Sequence, residues 1–311
     1  MTVETGPDLQ RDPRSVLTTG TFDGVHVGHQ EILRYLVQRA HEVNGVPTVV
    51  SFDPHPREVL GSDRIPLLTT LEERARLLEA LGVQRFVVLP FTRDLSLLEP
   101  EAYVEDVLIG QVGLREIIIG YDHRFGRGRA GDRSTLERLG ARHGYSVDVI
   151  PAHIEAGATV SSSRIRRQLE KEGAAAEAAR LLGRPYELAG TVVAGDQRGR
   201  TIGFPTANVL LEDPRKLVPR VGVYAVQAEL ATGDRYDGMM NVGVRPTFET
   251  DGSVTVEVHL FDVDVDLYGR AMRVQVHRRL RDEVRFAGVD ALVAQLHEDR
   301  RQAKSILAGL S

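Results

Sequence analysis

The chain of 311 residues contains no cysteine and no tryptophan. Without thiols there is no disulfide, no zinc–thiolate centre and no cysteine nucleophile. No apolar run approaches the ~20 residues needed to cross a bilayer. The first residues, Met1 to Pro13, are polar and unlike a signal peptide. The expected location is therefore cytoplasmic, with no membrane partner. Charge of one sign is also lacking: 39 Lys and Arg stand against 44 Asp and Glu, mixed through both halves. That balance argues against a nucleic-acid partner, which calls for a one-sided basic excess. No repeat or low-complexity tract is present, and a homo-oligomer is neither indicated nor excluded. What remains is a globular composition, 42% hydrophobic, long enough that two domains are the better expectation.

The ten residues from Gly20 to His29, Gly-Thr-Phe-Asp-Gly-Val-His-Val-Gly-His, are the most informative in the chain. They follow an apolar run (Val16, Leu17) and precede an amphipathic segment, so they read as a strand–loop–helix junction. Glycines at such a junction let backbone N–H groups approach a phosphate, and the helix adds its positive end. His26 and His29, three apart, point the same way on a first helical turn. A lone His-x-Gly-His arises by chance more often than by function; the flanking glycines, strand and helix raise it. The pattern resembles the signature of class I nucleotidyltransferases, in which the histidines stabilise the α-phosphate of a nucleoside triphosphate under attack.

Short β-branched runs at Val16–Thr18, Thr48–Phe52, Phe86–Leu89, Ile117–Ile119 and Ser146–Val149 alternate with helical patterns up to about Leu182. Ile32, Leu33, Leu36, Val37 and Ala40 mark one helical face, and Thr70 to Glu73 and Ser134 to Glu137 each read as a capping box. This alternation predicts a doubly wound parallel sheet with ligands at the carboxyl ends of its strands. After Gly183-Arg184-Pro185 the segments become short strands (Leu188–Val193, Val223–Glu229, Arg235–Asn241, Val254–Phe261, Met272–Val276) separated by turns, including Asp251-Gly252. An antiparallel barrel or sandwich follows, closed by a helix over Val289 to Leu307. The expected domains are 1–183, α/β, and 184–311, β with a terminal helix.

Further candidate residues lie around these elements. The loop Gly120 to Gly126 follows a strand, and its Asp122 can take a ribose hydroxyl or an amine; its outer arginines are as readily a solvated loop. Ser161-Ser162-Ser163-Arg164-Ile165-Arg166 opens a helix running to Lys171. Its hydroxyls alone read as a cap, but with free N–H groups and Arg166 they also make an anion site. His55, in Asp53-Pro54-His55-Pro56, is a structural turn residue before it is an acid–base group. In the second half, the glycine-rich segment Gly195 to Asn208 is not a Walker loop. Its Gly195 and Gly203 expose N–H groups, while Thr206 and Asn208, two apart and so on one side of an extended segment, offer hard oxygen ligands for Mg²⁺. An ordinary turn is the alternative. Glu257 alternates with Val256 and Val258, on the face shared by Thr255, His259 and Phe261. It is either a solvated charge or, if that face lines a cavity, a general base.

Five segments together closely resemble the prokaryotic bifunctional riboflavin kinase/FAD synthetase family over Ser15 to Ala308. They are Thr21 to His29, Gly120 to Gly126, Ser161 to Arg166, Gly203-Phe204-Pro205-Thr206-Ala207-Asn208 and Asn241 to Phe248. The Pro-Thr-Ala-Asn stretch is specific to riboflavin kinases; the histidine motif belongs to the wider superfamily. The resemblance implies an α/β nucleotidyltransferase domain followed by a kinase barrel, ATP at two sites, Mg²⁺, and riboflavin, FMN and FAD as substrates or products. At the first site His26 and His29 would act on the ATP phosphates, with Gly20, Phe22, Asp23, Gly24, Asp122, Ser162, Ser163 and Arg166 around them. At the second, Thr206 and Asn208 would hold Mg²⁺ and ATP beside Gly195 and Gly203, and Glu257 would be the base. Arg281, Glu283 and Phe286 fall in the flavin-binding region. The chain departs from the family at His123, where an aromatic is usual, and at Ser163, often threonine. The alternatives are a nucleotidyltransferase for another acceptor with a flavin-binding barrel, and a flavin-binding protein without turnover.

Overall fold

A computed structural model describes residues 1–6, 9–61, 64–151, 154–155, 158–195, 198–244, 254–263 and 265–310. Of the expected features, Asp196-Gln197, Arg245 to Phe248 and the Asp251-Gly252 turn lie outside these residues. The chain forms two compact units, Met1–Ser162 and Ser163–Ser311.

The first unit is a six-stranded sheet in the order β1-β4-β3-β2-β5-β6, with β1 (Thr2–Thr5), β2 (Ser15–Thr19), β3 (Val46–Asp53), β4 (Arg85–Pro90), β5 (Leu114–Gly120) and β6 (Ser146–Ile150). Every neighbouring pair is parallel. The strands read as apolar runs because both faces are covered. On one face, Leu33, Leu36 and Ala40 of helix Val27–Glu42 and Leu78 of helix Leu71–Ala80 pack with Val16, Val49 and Phe86. On the other, the π-helical segment Tyr103–Val112 and Leu136 and Leu139 of helix Arg133–His143 pack with Leu17, Val50 and Ile117. Chain direction across the sheet reverses between β2 and β5, and a ligand crevice opens at such a switch point. The loops after both strands carry the expected motifs. A short ladder of β7 (Ile154–Glu155) and β8 (Ala158–Thr159) follows the sheet.

Two local expectations are revised. The capping box at Thr70 and Glu73 forms in both directions. The one at Ser134 does not: Asp132 is the N-cap, accepting from the Thr135 N–H at 3.0 Å, while Glu137 turns to Arg133 at 2.7 Å. The helix expected from Ser161 to Lys171 is α-helical over Ser162–Arg167 and continues as a π-helical turn, Gln168–Glu172.

The second unit is a closed antiparallel barrel in the order β10-β13-β12-β11-β14-β9, with β9 (Tyr186–Val193), β10 (Ala207–Leu211), β11 (Gly222–Leu230), β12 (Arg235–Val244), β13 (Val254–Leu260) and β14 (Ala271–Arg281). Helix Ala175–Leu182 packs against β9 and β14 and so goes with the barrel. Tyr224, Met240, Val258 and Ala207 stand opposite one another across four strands and fill the interior. The terminal helix Val289–Ala308 covers the outer face, where Ala303 and Leu307 meet Val223, Ala225, Met239 and Phe261. No helix among the described residues is long and apolar enough to cross a membrane.

Candidate functional site

The loop between β2 and helix Val27–Glu42 is held by a buried polar network. Asp23, with no exposed surface, accepts from the N–H groups of Leu68 (3.0 Å) and Thr69 (2.8 Å) and from the Thr69 hydroxyl (3.0 Å). The Gly24 N–H donates to the same hydroxyl at 2.9 Å. The Arg74 guanidinium lies 3.7 Å from Asp23 Oδ1 and bonds the Thr69 carbonyl and Ser51 Oγ, each at 3.3 Å. Asp23 thus serves the site by fixing the loop's shape. Gly20 donates to Val50 O at 3.0 Å, and the Phe22 ring is buried in the core. Phe22 and Val25 hold positive φ (47° and 40°), uncommon for such residues and typical of a loop whose conformation is imposed from outside.

The product of this bracing is a pair of stacked imidazoles. His26 is the helix N-cap, its Nδ1 accepting from the His29 N–H at 3.3 Å, which leaves the ring proton on Nε2. The rings lie 3.6 Å apart at 16°. Burial first, then His26 and Arg74, hold His29 well below its usual pKa, so it is neutral. His29 Nδ1 is buried with no hydrogen-bond partner among the described residues. The Ser162 hydroxyl donates to the Asp23 carbonyl at 2.9 Å, so the serine run begins against this loop. Ser163 and Arg166 follow on the same helix. His55 is a capping residue, its Nδ1 accepting from the Arg57 N–H at 3.1 Å.

Sequence reasoning missed Thr69 and Arg74, although both flank the capping box it found. Removing the Arg74 charge leaves a fully buried carboxylate one partner short, and breaking such pairs costs about 3–5 kcal/mol. Arg74→Met is expected to lower the unfolding free energy of the first unit by about 3 kcal/mol in urea titration; a loss below 1 kcal/mol would contradict this bracing.

After β5, Asp122 is exposed, whereas the His123 ring packs beside Phe125, 5.8 Å between centroids at 24°. Burial pushes His123 down to about 4 from the usual 6.5, against a smaller opposing pull from Asp122. It is neutral when folded and takes a proton near pH 6.5 when unfolded, so its contribution is whole above pH 6.5 and is lost as pH falls towards 4. Between pH 6.5 and 5 the loss is about 2 kcal/mol. His123→Phe, which keeps the ring on Phe125, should remove that part of the acid sensitivity; parallel declines in urea midpoints for both proteins would contradict it.

In the barrel unit, Glu257 of β13 stands directly opposite Asn208 of β10 on one side and Asn241 of β12 on the other. The Thr206 hydroxyl donates to Glu257 Oε2 at 3.4 Å. This is the barrel's outer face, half-buried at Glu257 rather than bare. The next residues on the same face, His259 and Phe261, sit under the 198–206 segment and the terminal helix. His259 Nδ1 donates to the Pro205 carbonyl at 2.7 Å, and its ring lies 5.1 Å from Phe204. Burial holds this imidazole below its usual pKa, although the Pro205 bond opposes the shift. His259 thereby anchors the loop that presents Thr206, a role the strand alternation did not reveal.

Glycines are required where this loop closes. A Cβ on Gly195 would fall 2.0 Å from Asn208 Nδ2, one on Gly199 2.1 Å from the Phe204 carbonyl, and Gly203 holds φ +80°. Thr206, Asn208 and Glu257 bring hydroxyl, amide and carboxylate oxygens together, a donor set suited to a hard divalent cation. Arg281 is committed elsewhere: it forks onto the buried Asp299 of the terminal helix at 2.8–3.0 Å and lies 5.6 Å over the Phe286 ring. Glu283 is exposed, its carboxylate near Asn241 and Thr255.

Comparison with known proteins divides the chain as these two sites do. Residues 8–164 match the FAD synthetase family model and residues 182–307 the riboflavin kinase model. A bifunctional riboflavin kinase/FMN adenylyltransferase of Listeria monocytogenes is 36% identical over 97% of this chain and 96% of that protein. The chain belongs to the bifunctional riboflavin kinase/FMN adenylyltransferase family. The counterpart in Escherichia coli K12 is 39% identical over 93% of this chain and 91% of its own. A crystal structure described as a macrolide-efflux protein from Streptococcus pneumoniae superposes with a TM-score of 0.89 at 31% identity, covering 98% of this chain and 99% of that one. Like the family, the chain carries an FAD synthetase domain ahead of a riboflavin kinase domain.

Proposed function

We propose that residues 184–311 transfer the γ-phosphoryl group of ATP to the ribityl 5′-hydroxyl of riboflavin, giving FMN. Residues 1–183 then join the FMN phosphate to the α-phosphorus of a second ATP, giving FAD and pyrophosphate. The observation that carries the reading is the pairing of two unlike sites in one chain: stacked histidines on a glycine loop, and a glutamate ringed by threonine and asparagine.

In the first reaction Glu257 accepts the proton of the 5′-hydroxyl as its oxygen attacks, and the 195–208 loop offers N–H groups to the phosphates. Thr206 and Asn208 would hold Mg²⁺, which neutralises charge on the transferring group. Phe286, oriented by the Arg281–Asp299 pair, and Glu283 border the flavin. In the second reaction His26 Nε2–H and His29 Nδ1–H donate to the α-phosphate oxygens as charge builds there. Gly20, Phe22, Asp23 and Gly24 supply the shape of the loop and its backbone groups. Ser162, whose hydroxyl meets the Asp23 carbonyl, borders the phosphate pocket, and the exposed Asp122 takes a nucleoside hydroxyl or amine.

Incubating the protein with riboflavin, Mg²⁺ and ATP and separating the flavins tests the reading. FMN appearing first and FAD after it is expected. Flavin bound but unchanged would favour a carrier without turnover. ATP–pyrophosphate exchange that needs some other acceptor would favour a different nucleotidyltransferase.

A further inference from the structure

Gly243 lies two residues beyond Asn241 on β12, on the same outer face, and Thr255 of β13 stands directly opposite it. A Cβ there would sit 3.2 Å from Asn241 Nδ2, 3.2 Å from Glu283 Oε1 and 3.5 Å from Thr255 Oγ1. An amide, a carboxylate and a hydroxyl from three segments therefore converge over a bare Cα, next to Glu257. Asn241 and Thr255 are half-buried and Glu283 is exposed, so among the described residues the recess is open to a ligand. An amide N–H beside a carboxylate is complementary to an alcohol, which accepts from one and donates to the other. Two residues of strand span about 7 Å. The reach along an extended polyol from the terminal hydroxyl to one three carbons back falls a little short of that span, and the side chains of Asn241 and Glu257 cover the rest.

We propose that Asn241 and Glu283, over the space left by Gly243, read a secondary hydroxyl of the flavin's polyol chain and so place its terminal hydroxyl against Glu257. The inference rests on the kinase assignment of this face and adds Asn241 as a specificity-determining residue. Asn241 touches the substrate but takes no part in proton transfer. Glu283 supplies charge that makes the recess favour a polyol over an alkyl chain.

The test compares kcat and KM for phosphorylation of riboflavin and of its 2′-, 3′- and 4′-deoxy analogues by the full chain. Asn241→Ala should lower kcat/KM for riboflavin by roughly ten- to a hundredfold, the range for a lost hydrogen bond in a charged setting. One deoxy analogue, already poor with the wild type by a similar factor, should lose less than about threefold on the same substitution. Glu283→Gln, at an exposed position that leaves folding intact, should be insensitive to that same analogue. Equal losses on all four flavins, or insensitivity to different analogues, would overturn the proposal. A wild-type protein that forms no FMN from riboflavin would instead overturn the kinase assignment beneath it.

Discussion

Glu257→Gln is expected to lower FMN formation from riboflavin by roughly a hundred- to ten-thousandfold, the range for loss of a positioned general base. FAD formation from supplied FMN should stay within twofold of wild type. The amide keeps the size of the carboxylate, so the Thr206 contact at 3.4 Å and the strand pairings to Asn208 and Asn241 can persist. What is lost is the ability to take the proton of the attacking hydroxyl. Because Glu257 sits on a barrel strand and the histidine loop on the parallel sheet, the two activities should fail separately. Equal loss of both would mean that one site performs both reactions.

His29→Ala should do the reverse. FAD formation is expected to fall roughly a hundred- to a thousandfold, the usual cost of one preorganised donor, and reactions begun with riboflavin should stop at FMN. His29 is neutral and buried, with Nδ1 unpartnered among the described residues. Its N–H is therefore available without first breaking a protein hydrogen bond. The substitution also removes the ring on which His26 stacks, so an accompanying rise in KM for ATP is expected. Urea titration separates this from unfolding, since the Asp23–Thr69–Arg74 bracing does not involve the His29 side chain.

The parallel sheet was legible because its strands are apolar on both faces and each helix between them carries one apolar stripe. β1 escaped because Thr2–Thr5 is a short, exposed edge strand with no alternation to read. β10 escaped because Ala207–Leu211 follows a glycine-rich loop that masked where extended structure begins. At Arg133, Ser134 and Asp132 compete for the cap with similar propensity, and only the backbone decides between them. The division between compact units at Ser162 rather than near Gly183 reflects where helix Ala175–Leu182 buries its apolar side, which no local signal encodes.

For the sites, motif spacing pointed to His26, His29, Thr206, Asn208 and Glu257, and the fold brings each set together within its unit. Alternation alone left Glu257 undecided between solvent and cavity. In the fold Glu257 is half-buried and meets Thr206 of the 198–206 segment, a long-range contact that alternation does not encode. Arg74, Thr69 and His259 act through buried hydrogen bonds to distant loops. A sequence read locally gives no sign of such partners.

The most direct measurement follows two isotopic labels through one reaction with riboflavin. With ATP labelled at the γ-phosphorus, FMN and FAD should each carry one labelled phosphorus. With ATP labelled at the α-phosphorus, FMN should be unlabelled and FAD should carry one. Label from the α position in FMN, or FAD formed without γ label, would contradict transfer of different phosphorus atoms at two independent sites.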